Sequence, residues 1–104
     1  MKYTHHNGEL TLKNLNESVH LKGWVAKVRN LGGLLFIDLR DRYGITQLLC
    51  KPENSNYQTA LKIRNEYVID IEGLVIERES KNKLMHTGDI EVDITNLTIL
   101  STAE

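Results

Sequence analysis

Five runs of alternating apolar and polar residues predict the fold class, together with one helix-spaced segment between the third and fourth runs and a phase slip in the first. The order β-β-β-α-β-β with a long, bent first strand belongs to an all-β fold with one helix. It is a five-stranded Greek-key barrel of the OB type, filling residues 1–104 as a single domain. A chain of this length closes one modest core.

The first strand is read at residues 19–29, VHLKGWVAKVR. Val19, Leu21 and Val25 share one parity and Val28 the other, so a β-bulge is expected beside Gly23, with Lys27 and Arg29 facing away from the core. NLGG turns the chain, its two glycines free to take positive φ. The second strand, LLFIDLR, sends Leu35, Ile37 and Leu39 inward and leaves Phe36, the only Phe, on the outer face with Asp38 and Arg40. DRYG turns again into a third strand, ITQLLC. Residues 52–66 then keep helical spacing through Tyr57, Ala60, Leu61 and Ile63, with Pro52 and Asn54 or Ser55 suited to a helix start.

YVIDIEGLVIER alternates as a fourth strand, with Tyr67, Ile69 and Ile71 inward and a bend at Gly73. Residues 79–89 are a polar loop. IEVDITNLTIL forms the fifth strand, with Ile90, Val92 and Ile94 opposing Glu91 and Asp93. Upstream, LTLKNLNE provides one short helical turn over a barrel end.

Composition narrows the chemistry. No apolar run reaches the ~18 residues of a membrane span, and Cys50 stands alone, so a cytoplasmic protein without disulfides or a Cys-rich zinc site is expected. His5 and His6 are adjacent and point apart on an extended chain, which makes a poor chelate. The acidic residues alternate along strands as a solvated face does, and no nucleophile elbow, P-loop or dinucleotide fingerprint occurs. Net charge is −1, yet residues 20–42 hold Lys22, Lys27, Arg29, Arg40 and Arg42 against only Asp38 and Asp41. A basic segment sits on an acidic body.

OB barrels bind oligonucleotides on the face around strands two and three. On that face Phe36 offers either a stacking platform for a base or a satellite of the core. Arg29 and Lys27 suit phosphates or base edges, and Gln47 carries both a donor and an acceptor for one base edge. Trp24 suits closing the barrel, or a second stacking surface. Tyr57 and Tyr67 suit core or semi-core positions, and Tyr43 a solvent-facing turn.

The stretches THHNGEL, VHLKGWVAKVRNLGGLLFIDLRDRYGITQLL, KIRNEYVIDIEG and TGDIEV…LTIL, in that order, resemble the N-terminal domain of bacterial-type aspartyl-tRNA synthetases. The likeness covers nearly the whole chain. It implies an anticodon-binding module whose partner is the anticodon loop of aspartate tRNA. Phe36 would stack on the middle anticodon base, a uridine, and Gln47 and Arg29 would hydrogen-bond that base or its neighbours. Arg78, Asn82 and Glu91 fall where the family contacts flanking bases. Asn30 departs from the aspartate common in the family. The resemblance also implies a longer parent, an ATP-dependent class II aspartate–tRNA ligase and homodimer, whose ATP and Mg²⁺ belong to a catalytic domain absent from these residues. This domain itself is expected to hold no cofactor or metal. Two other readings remain open: an OB barrel binding single strands or tRNA without anticodon choice, and a protein-interaction barrel anchored by Phe36.

Overall fold

The computed structural model describes residues 3–103. A 3-10 turn at Leu12–Asn14 precedes β1 (Ser18–Leu31), β2 (Leu34–Asp41), β3 (Gly44–Cys50), the one-turn helix α1 (Tyr57–Ala60), β4 (Val68–Glu77) and β5 (Ile90–Ser101). The strands close into a barrel in spatial order β1-β2-β3-β5-β4, with β4 returning to β1. Every pairing is antiparallel except β3 with β5, which run parallel over Leu48–Val92 and Leu49–Asp93. This is the predicted five-stranded barrel, with its helix between β3 and β4.

Alternation builds the core. Leu35, Ile37 and Leu39 of β2 are buried with Leu21 and Val25 of β1, Ile69 and Ile71 of β4, and Val92 and Ile94 of β5. Each such side chain contributes roughly 1.5–3 kcal/mol through burial. Tyr57 and Tyr67 pack half-buried against this cluster, as read from the sequence. At one end of the barrel the 3-10 turn is held by a capping box, in which the Thr11 hydroxyl accepts from a backbone N–H and the Asn14 amide accepts from the Thr11 N–H.

Three details depart from the sequence reading. The bulge of β1 lies between Val25 and Lys27, so Ala26 is the extra residue and not a neighbour of Gly23. Gly23 has a different duty: a Cβ there would collide with the Arg40 carbonyl on β2, so the two strands approach as only glycine allows. Trp24 does not close the barrel. It is 38% exposed, because its parity opposes that of buried Leu21 and Val25. Helix α1 is much shorter than residues 52–66. The Asn54 side chain accepts from the Asn56 N–H and donates to the Ile94 carbonyl, while Asn56 Nδ2 donates to the Thr95 carbonyl. Those side chains tie the segment to β5 instead of extending the helix, and Ile63 turns into the core.

The extended segment before the 3-10 turn straps the barrel. The Thr4 N–H donates to the His20 carbonyl, the fully buried Asn7 donates from its backbone to Asp41 Oδ2, and its Nδ2 donates to the Lys22 carbonyl. Gly8, at φ +98°, lies flat on the β2–β3 turn at Tyr43 and Gly44.

Candidate nucleic-acid interface

Two cross-strand ranks build the outer face of β1, β2 and β3. In one, Arg29 lies opposite Phe36 and Phe36 opposite Leu49. In the next, Lys27 lies opposite Asp38 and Asp38 opposite Gln47. Directly opposed residues share a face. Phe36 is half-buried. It is neither free in solvent nor wedged inside the barrel.

The parallel seam of β3 and β5 brings Glu91 beside this face, and a continuous side-chain relay joins the three strands. Arg29 forks onto Asp38 with contacts of 3.1 and 3.4 Å and donates from Nη2 to Gln47 Oε1 at 2.8 Å. Gln47 Nε2 donates to Glu91 Oε1 at 2.8 Å. An arginine can only donate and a carboxylate only accept, so the amide of Gln47 is oriented from both ends.

Glu91 is only 8% exposed, and that burial raises its carboxyl pKa, against the opposing pull of the Gln47 hydrogen bond and the Arg78 charge. Arg78 is 7% exposed. Burial lowers its pKa, against the raising effect of Glu91. Its Nε donates to the Ile90 carbonyl at 2.9 Å, while Nη2 is buried with no partner among the described residues. A buried cation with an unsatisfied donor is costly in a closed core and useful where an acceptor can arrive.

The segment after β4 forms the far wall. The Asn82 N–H donates to the Gly88 carbonyl, and Asn82 Oδ1 accepts from the Leu84 N–H. Gly88 passes so close beneath the Asn82 carbonyl that no side chain fits there. The result is a cleft of about 530 Å³. Arg29, Phe36, Gln47, Arg78, Asn82 and Glu91 all line it, gathered from residues up to 62 positions apart. Lys27 does not line it. It stands exposed on the same outer face, on the far side of Asp38.

Several lining residues escaped the sequence reading. Leu31 and Leu34 flank the Gly32–Gly33 turn at the cleft mouth, and Ile76 and Met85 supply an apolar wall. Leu49 and Lys51 share the parity of Gln47, so alternation along β3 could have placed them. Met85 sits in the loop, where no period applies.

A family model described as an OB-fold nucleic acid binding domain, of the tRNA anticodon group, matches residues 19–100. This chain belongs to that family. The domain is also similar along its full length to aspartate–tRNA ligases. It is 53% identical over 104 residues to that of Mycoplasma capricolum and 50% identical over 107 residues to that of Lactococcus lactis, in each case over 100% of this chain and 18% of the relative. The OB-fold domain thus spans about a fifth of the length of the curated relatives it matches. Its backbone follows that of an aspartyl-tRNA synthetase from Entamoeba histolytica with a TM-score of 0.86 and 28% identity, over 99% of this chain and 22% of the other.

An OB-fold nucleic-acid domain with this cleft has the parts for reading an unstacked base. It presents one flat ring, an oriented amide, a buried carboxylate and two guanidinium groups.

Proposed function

We propose that this domain binds the anticodon loop of aspartate tRNA as the recognition module of an aspartate–tRNA ligase. The observation that carries the reading is the convergence of Phe36, Arg29, Gln47, Glu91, Arg78 and Asn82 on one cleft of a domain so similar to those ligases. The Phe36 ring stacks on the middle base of GUC. Gln47, held by Arg29 and Glu91, meets its edge, while Glu91, Arg78 and Asn82 address the flanking bases. Stacking supplies affinity for any base, roughly 1–3 kcal/mol, and the polar relay converts it into choice.

On this reading Lys27 meets a phosphate and not a base. ATP, Mg²⁺, the aminoacylation chemistry and the dimer belong to the longer, cytoplasmic ligase, and this domain contributes tRNA selection. Two RNA hairpins that differ only in the middle anticodon base test the proposal. The GUC hairpin binds more tightly, and Phe36→Ala weakens it by about 1–3 kcal/mol. Equal affinity for the two hairpins overturns the reading in favour of an OB domain without anticodon choice.

A further inference from the structure

The outer face of β1 and β2 continues past the cleft. After Arg29–Phe36 and Lys27–Asp38 comes Trp24 opposite Arg40, all facing outward, and Lys22 precedes Trp24 with the same parity. Arg42 follows Arg40 at the β2–β3 turn. Phe36 and Arg40 are four residues apart on one strand, about 13 Å.

Lys22, Lys27, Arg40 and Arg42 are all exposed, and none forms an ion pair among the described residues. The carboxylates nearest them already hold other partners. Asp38 is taken by Arg29. Asp41 accepts from the backbone N–H groups of Asn7, Tyr43 and Gly44. Asp70, which faces Lys22 across β1 and β4, accepts from Tyr3 and pairs with His20, and Glu9 accepts from the His6 N–H.

Aromatic rings are interleaved with these cations. Trp24, Tyr43 and Tyr3 are exposed around a second hollow of about 460 Å³. Lys22 Nζ sits 5.9 Å from the Tyr3 ring centre, and the Arg42 guanidinium carbon 5.9 Å from that of Tyr43. Four unpaired cations and an exposed indole gathered on one face make a locally positive, ring-bearing surface on a chain of net charge −1. A polyanion with flat groups fits them.

We infer that this face is a backbone track for the same RNA, on which Lys22, Lys27, Arg40 and Arg42 take phosphates of the strand leaving the anticodon loop and Trp24 lies against it. The inference rests on the proposed anticodon reading for its occupant, because the Trp24–Arg40 rank is the next outward-facing one on the β1–β2 ladder after Lys27–Asp38 and Arg29–Phe36. The two parts do different work. Contacts in the cleft choose the base, and contacts on the track hold any RNA of the right shape.

The test measures hairpin affinity against salt for the wild-type domain, for Lys22→Gln, Lys27→Gln, Arg40→Gln and Arg42→Gln singly and combined, and for the exposed control Lys62→Gln. Each track variant flattens the slope of log affinity against log salt by ~0.7–0.9, and it weakens the GUC hairpin and the middle-base variant by the same factor. Lys62→Gln leaves the slope unchanged. Emission from Trp24, the single tryptophan, shifts as the hairpin saturates. An unchanged slope in the combined variant overturns the track, even where the wild-type domain prefers GUC. Loss of the preference alone overturns the anticodon reading and leaves the slopes to decide the track.

Discussion

Gln47 Nε2 meets Glu91 Oε1 at 2.8 Å across the parallel seam of the barrel, and both side chains are more than nine-tenths buried. Glutamate burial at a strand junction is expensive unless the charge has partners. Here the amide and the Arg78 guanidinium supply them only in part, since the carboxyl pKa still rises. On the proposed anticodon reading, stability and recognition oppose each other at this residue.

Glu91→Gln keeps an acceptor for Gln47 and removes the ionisation. A carboxyl with a raised folded pKa favours the fold most when protonated, and that contribution is lost as pH rises through the raised value. The variant is accordingly more stable than wild type at neutral pH. The gap closes on acidification through the pKa of Glu91. Urea unfolding at a series of pH values measures it, and a gap that widens in acid contradicts the assignment. The same variant loses base preference in hairpin binding.

Phe36→Leu separates stacking from packing. Leucine keeps an apolar side chain beside Leu49 and Arg29, so stability changes by less than about 1.5 kcal/mol. The flat π face disappears, and hairpin affinity falls by about 1–3 kcal/mol. Calorimetry of unfolding and of binding on one preparation reports both numbers. A large loss of stability with intact binding would return Phe36 to the core.

Arg29→Lys retains the charge and loses the fork. Lysine cannot hold Asp38 at two points while donating to Gln47, so the amide is free to turn over. Discrimination between hairpins that differ in the middle base falls by roughly 1–2 kcal/mol, more than affinity for either. A uniform loss on both hairpins shows instead that Arg29 acts as a plain phosphate contact.

Gly23→Ala tests the close approach of β1 to β2. The new methyl group meets the Arg40 carbonyl, which belongs to the sheet and cannot swing aside. The domain loses about 1–3 kcal/mol, read as a lower urea midpoint. Gly32→Ala, with open space around it but φ of +62°, costs about 1 kcal/mol through backbone strain alone.

Much of this was legible in the sequence because strand periodicity is local. Leu35, Ile37 and Leu39 against Phe36, Asp38 and Arg40 can be sorted without knowing what pairs with what. Glu91 could not. Its parity is that of a wet face, and only the arrival of β3 and of Arg78 beside it removes the water. Trp24 misled in the opposite direction, since its size suggests a core role while its parity opposes one. Parity prevailed. The phase slip between Val25 and Val28 fixes the existence of an extra residue but not its position, so a bulge expected beside Gly23 lies at Ala26. Helix α1 starts later than its spacing suggests because Asn54 and Asn56 find carbonyls on β5, a long-range contact that no window of sequence contains. The resemblance names Arg29, Phe36, Gln47, Arg78, Asn82 and Glu91 together, where chain spacing alone scatters them, and it leaves Leu31, Leu34, Ile76 and Met85 unnamed.

The barrel closes between β3 and β5 through only two register pairs, Leu48–Val92 and Leu49–Asp93, where the other strand neighbours share far longer ladders. Sheets come apart first where fewest backbone bonds resist, so deuterium should enter the amides along this short zipper before it enters those of β1 or β4. An RNA loop seated over Gln47 and Glu91 lies across that zipper like a hand over a latch. Slowed deuteration there on adding the hairpin would show the ligand finishing a closure that the polypeptide leaves short.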